Sequence, residues 1–124
     1  MTLRLTRLAG RMAVCKLPSD APVPAWASGA LWSVTRTPDE LSIVCAEEVV
    51  PAGVTRQGPF AVLAVVGPLD FALTGVLAGL TTALAAAAVP VFALSTYDTD
   101  YLLLPAARAE DAVAALGIAG YTVA

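Results

Sequence analysis

A chain of 124 residues has room for one compact domain, or for two very small modules that share a core. Hydrophobic residues make up 58% and charged residues 14%, an apolar excess that excludes intrinsic disorder and makes self-association the expected outlet for surplus apolar surface. The net charge of −3 argues against nucleic acid as a partner, and the absence of histidine excludes a Ser-His-Asp triad, a Cys/His pair and a histidine-bearing zinc site.

Residues 3–8 alternate apolar and polar, which predicts a strand with Arg4 and Arg7 on its wet side. With Arg11 and Lys16 they form the one grouping of basic side chains, read as a solvated face. Residues 1–10 lack a continuous apolar stretch, so no signal peptide is expected. Residues 12–17 predict a second strand. Cys15 and Cys45 each sit in an apolar run and read as reduced, buried thiols of a cytoplasmic protein. Residues 18–24 are rich in turn formers, so any helix there is short and centred on Ala25-Trp26-Ala27. A strand follows at 31–35, with Trp32 and Val34 on one face and the tryptophans expected in a core or an interface. Thr37-Pro38-Asp39-Glu40 is a turn, and residues 41–45 return from it as a strand. Glu47-Glu48-Val49-Val50 predicts one helical turn stopped by Pro51, and residues 53–58 read as loop and edge.

The unbroken apolar run 60–66 predicts a strand covered on both faces. Leu73, Val76, Leu77, Leu80, Ala83, Leu84 and Ala87 recur at helical spacing, with Asp70 or Thr74 available as the cap and Pro90 as the stop. No charge interrupts residues 71–97, but the alanine content, the threonines and Pro90 weigh against a membrane span. Residues 91–95 and 101–104 predict two strands. Pro105 opens a helix with Glu110 and Asp111 on its wet side and Val113 and Leu116 on its dry side. Gly117 ends it, and residues 118–123 form the last strand. From residue 60 onward the order is β-α-β-β-α-β. That order is α+β and ferredoxin-like, with two helices on one face of a four-stranded sheet. The expected division is a first module at 1–58, its helices cut to single turns, and a second at 59–124.

Two strings within that order carry a resemblance: Leu73-Thr74-Gly75-Val76-Leu77-Ala78, where the chain enters the helix, and Leu94-Ser95-Thr96-Tyr97-Asp98-Thr99-Asp100-Tyr101-Leu102-Leu103 across the hairpin. Together they resemble the ACT domain, and more narrowly the CASTOR-like and aspartate kinase-like tandem ACT proteins. Trp32-Ser33-Val34 with Glu40-Leu41-Ser42-Ile43-Val44 fits the first module of such proteins. The resemblance implies a non-catalytic regulatory sensor without cofactors, holding a free amino acid at an interface between ACT modules. Its implied contacts are Thr74, Gly75, Val76 and Leu77 at the turn, with Thr96, Tyr97, Thr99 and Asp100 on the hairpin. With one tandem pair per chain, it also implies a homodimer, and a metabolic enzyme or other regulator as a further partner. Leu73 stands where the arginine sensor places an acidic residue, which weighs against arginine.

The residues alone support a binding site. A helix start offers amide groups to a carboxylate, Gly75 removes a Cβ from that approach, and Asp100 can pair with an ammonium. Each also has a plain structural role: close helix packing for Gly75, a strand-edge charge or turn cap for Asp100, β-propensity for Thr96 and Thr99. An interaction module that has lost its ligand, pairing with itself or an enzyme, is the alternative. An enzyme built on Cys15, Cys45 or Asp100 is disfavoured, because few cations lie near either cysteine to lower a thiol pKa.

Overall fold

The structure, a computed structural model, describes residues 3–124. In chain order it contains strands β1 (Arg4–Arg7), β2 (Met12–Leu17), β3 (Ser33–Arg36), β4 (Leu41–Ala46) and β5 (Arg56–Val65). Helix α1 (Val76–Ala86), strands β6 (Phe92–Ser95) and β7 (Asp100–Pro105), helix α2 (Ala109–Ile118) and strand β8 (Thr122–Val123) follow. Contacts divide the chain into two units, one of residues 10–60 and one of residues 61–124 together with the N-terminal strand.

In the unit of residues 10–60 the strands run in the order β3-β4-β2-β5, with every neighbouring pair antiparallel. Numbered within the unit this is 2-3-1-4, the ferredoxin-like order. The helices are reduced to turns, as expected. Ala27 N donates to Pro24 O at 3.2 Å after β2, and a single 3-10 turn, Glu47–Val49, follows β4. Pro18, Pro22, Pro24 and Pro51 explain the shortening, since each removes a donor that a longer helix needs. The core takes Ala13 and Cys15 from β2 and Leu41, Ile43 and Cys45 from β4, alternate residues that face one way. One expectation is corrected: Trp32 precedes β3 rather than belonging to it and lies outside the core at 50% exposure, while Val34 and Trp26 pack against the core. Residues 56–58, within the stretch read as loop and edge, begin β5.

Both cysteines are free and buried. Cys45 pairs with Ala13 and Cys15 with Ile43, so the two thiols are diagonal neighbours on one face. Burial raises the Cys15 pKa, opposed by the Arg56 charge. Burial, then the Cys15 neighbour, pushes Cys45 up to about 11 from an ordinary 9.0. The folded thiol therefore holds its proton where the unfolded one loses it. Stability is expected to stay level below about pH 9 and to fall as the pH climbs toward 11, read by urea melts across that range. Thiol labelling at pH 7 should proceed only after unfolding.

The second unit orders its strands β6-β7-β5-β1-β8. The expected β-α-β-β-α-β sequence is present, with one difference. A ferredoxin-like sheet would place β8 beside β5, but β1 occupies that position, antiparallel to β5 (Leu5 opposite Val65) and parallel to β8 (Leu5 opposite Val123). The sheet thus has five strands, not four. Leu80 and Leu84 of α1 and Ala109, Ala112 and Leu116 of α2 cover one face of it, meeting Leu5, Leu63, Val65, Leu102 and Leu104. Arg108 joins the two helices: its guanidinium donates to the carbonyls of Ala87 and Ala88 at the end of α1 and pairs with Asp111 at 2.8 Å.

Several boundaries differ from the sequence reading. Helix α1 starts at Val76, two to three residues late, and no side chain caps it; Gly75 occupies the cap position at φ 78°. Asp70 instead closes a separate turn, its Oδ1 accepting from Ala72 N at 2.9 Å. Helix α2 runs past Gly117, and Gly120 at φ 98° supplies the left-handed residue after it. This leaves only two residues for β8. Among the described residues, no helix is long and apolar enough to cross a membrane.

Leu5 is 1% exposed and touches a core built from residues more than fifty positions away. Leu5→Ala is expected to cost about 2–5 kcal/mol in urea unfolding, the range for a buried leucine truncated to alanine. A loss below about 1 kcal/mol would show that β1 is dispensable to that core.

Candidate functional site

The hairpin of β6 and β7 closes with Ser95 opposite Asp100. Its four-residue turn is held from within. Thr96 N donates to Thr99 O at 2.8 Å, and the Thr96 hydroxyl accepts from Thr99 N at 3.3 Å. The turn is also fastened to the connection between β5 and α1. The Thr99 hydroxyl donates to Val65 O at 2.6 Å, and Leu69 N donates to Asp98 O at 2.7 Å. Gly67 makes this approach feasible, because a Cβ there would lie 3.1 Å from Asp98 O and 3.3 Å from Thr99 Cβ.

Between the fastened hairpin and the start of α1 lies an open cleft of about 220 Å³. That is below the roughly 300–1,000 Å³ of sites that take drug-sized ligands, so its occupant is small. Five of the residues named from the sequence line it: Val76, Thr96, Tyr97, Thr99 and Asp100. Thr74, Gly75 and Leu77 do not; Thr74 and Gly75 precede the helix, and Leu77 packs toward the core. The threonine hydroxyls are engaged inside the protein rather than offered to a ligand.

The cleft has members that sequence reasoning passed over. Leu69, Asp70, Phe71 and Leu73 come from the connection before α1, and Ser95 and Asp98 from the hairpin. The alternation of acidic and hydroxyl residues through Ser95-Thr96-Tyr97-Asp98-Thr99-Asp100 was the available signal for the hairpin pair. Nothing local signals that residues 69–71 fold back onto it. Phe71 and Tyr97 stand at the rim, 82% and 85% exposed, with ring centroids 6.0 Å apart in a tilted contact. Asp100 is half-buried, and its Oδ1 accepts from the Ser95 hydroxyl at 2.5 Å. At the helix start the first backbone bond is Gly79 N to Gly75 O at 2.9 Å, which leaves the amides of Val76, Leu77 and Ala78 without helical acceptors. A second, shallower groove of about 480 Å³ adjoins the cleft and shares Leu69, Asp70 and Leu73 with it; Arg4 lines that groove. Among the described residues, no three His, Cys, Asp or Glu side chains cluster to hold a metal ion.

The sequence model of the ACT domain matches residues 56–117, half of the chain. The chain belongs to the ACT-domain family. A further family model, which describes an N-terminal domain, matches residues 10–53. No curated protein matches this ACT chain by sequence. Among solved structures, an Agobacterium tumefaciens protein is 32% identical with a TM-score of 0.93, over 100% of this chain and 93% of its own. A Vibrio cholerae protein of unknown function is 21% identical with a TM-score of 0.79, over 95% of this chain and 90% of its own. The ligand-free regulatory subunit of aspartate kinase from Thermus thermophilus shares the fold at 16% identity and a TM-score of 0.67, over 94% of this chain and 96% of its own. The aspartate kinase-like ACT architecture expected from the sequence is thus the one present, and these aspartate kinase neighbours are regulatory rather than catalytic parts.

Thr99 acts here through structure. Thr99→Val keeps the shape but leaves the Val65 carbonyl without its donor. The expected loss is about 1–2 kcal/mol of stability in denaturant melts, with proton exchange at Leu69 N accelerating as the hairpin loosens.

Proposed function

We infer that this ACT protein is a non-catalytic regulatory sensor that binds a free amino acid in the cleft between the start of α1 and the β6–β7 hairpin. A second copy of the chain covers the open side, placing the ligand between ACT modules of a cytoplasmic homodimer. One juxtaposition carries the reading: Val76, the first residue of α1, and Asp100, the first of β7, line the same small cleft. A free amino acid presents a carboxylate and an ammonium a few ångströms apart. The amides at the helix start, backed by the helix dipole, suit the carboxylate. Asp100 keeps one carboxylate oxygen beyond its bond with Ser95 and suits the ammonium. The regulatory role draws support from the aspartate kinase regulatory subunits that share this fold.

The exposed rings of Phe71 and Tyr97, with Leu73 beside them, also favour the second reading, a protein-docking module that binds no ligand. Thermal melts of the purified protein against all twenty amino acids separate the two. One amino acid is expected to raise the melting temperature by mass action, about 2.7 kcal/mol at a hundredfold excess over Kd. Asp100→Ala should abolish that rise. A scan with no shift, joined to tight self-association, would favour the docking module and remove the sensor.

A further inference from the structure

We propose that two copies of this chain dock tip into groove, each setting its hairpin tip, Tyr97 and Asp98, into the groove that Arg4 lines on the other. This deepens the reading above by naming the surface that covers the cleft, and it rests on that reading only for the ligand. Charge is the first observation. The unit that holds the cleft contains three arginines: Arg7 is paired with Glu110 and Arg108 with Asp111, whereas Arg4 has no carboxylate partner among the described residues. Asp98 is its counterpart. The Asp98 main-chain carbonyl accepts from Leu69 N, but its side chain has no hydrogen bond or ion pair among the described residues. An exposed, unpaired cation thus lines one groove, and an exposed, unpaired carboxylate lines the cleft beside it.

Apolar exposure is the second observation, independent of the first. Of the eight large hydrophobic residues exposed among the described ones, four line the cleft or the adjoining groove: Val66, Phe71, Leu73 and Tyr97. Apolar surface clustered in this way marks an interaction face. Its shape selects the occupant. A two-fold contact requires one patch to carry both a projection and the recess that receives it, so that each residue pair occurs twice. Here the exposed hairpin tip is the projection, and the groove of about 480 Å³ with Arg4 at its side is the recess. The cleft and the groove share Leu69, Asp70 and Leu73, so an axis through those residues exchanges the two halves and closes the assembly at two copies. Each dimer gains two Arg4–Asp98 pairs between copies, and the rings of Phe71 and Tyr97 leave water. Asp70 lies beside the axis, where the two arriving arginines offset its charge. A partner of another sequence would need only one of the two halves, whereas a second copy uses both.

Sedimentation velocity of the intact protein, without added amino acid, tests the interface. The wild type is expected to be a dimer that weakens as salt rises. Arg4→Glu and Asp98→Lys should each raise the dimer Kd about tenfold or more, because two attractive pairs become repulsive. The double variant restores opposite signs and should recover most of that loss. Lys16→Glu, the same change of charge in the other unit, should leave the dimer unchanged, and melts followed by circular dichroism separate lost pairing from lost folding. A monomeric wild type, a dimer that ignores both reversals, or two losses that the double variant does not repair each overturn the interface. The sensor is read separately, by the amino-acid scan. An amino acid that stabilises a monomeric wild type keeps the sensor and overturns the interface; rescue by the double variant with no response to any amino acid keeps the interface and removes the sensor.

Discussion

Two hydrogen bonds, from the Thr99 hydroxyl to Val65 O and from Leu69 N to Asp98 O, hold the β6–β7 turn against the end of β5. They act where β5 leaves its sheet and the chain starts toward α1, a stretch without regular structure from residue 66 to residue 75. Without them the hairpin tip and that connection would be two independent surface loops. With them, the two walls of the cleft become one surface whose spacing is fixed by short backbone-linked bonds. The absence of a Cβ at residue 67 belongs to the same device, because a Cβ 3.1 Å from Asp98 O would push the two segments apart by a few tenths of an ångström. The cleft is thus a property of the fold's hydrogen bonding rather than of loose loops meeting by chance.

This arrangement explains which parts of the molecule were legible in advance. The second unit's strands and helices announce themselves through period: an apolar run for β5, i, i+3, i+4 spacing for α1, and a Pro-to-Gly window for α2. The truncated helices of the other unit follow from its prolines. The register of β1 was not legible. An alternating segment such as residues 3–8 says that one face is buried, but contains nothing about which strand it will join. Its partners are fixed by Leu5 fitting between Leu63, Val65 and the helices, a condition met only once the chain as far as Leu116 is in place.

The site divides the same way. Val76 and Asp100 were named through the ACT resemblance, and the structure puts them at the entry to a helix and the start of a strand. Thr96 and Thr99 were recognisable as polar residues at a turn, yet their chemistry is directed inward, and only coordinates distinguish an offered hydroxyl from an engaged one. The helix boundary shifted because apolar spacing admits Leu73 to the helix face, whereas the left-handed Gly75 and the Asp70 turn impose another path before Val76. Asp70 and Phe71 acquire their place from that path and from nothing in their neighbours.

The insertion of β1 has a bearing on the order in which the molecule can be made. The unit of residues 10–60 is contiguous, so the strands that pair within it are all made by residue 60. Its counterpart begins with β1 and cannot finish the sheet until Thr122 and Val123 emerge, the pair that flanks Arg4 and Leu5. During the interval β1 has β5 along one side and an open edge along the other. Charged side chains such as Arg4 and Arg7 are the kind that discourage a further strand from adding along such an open edge.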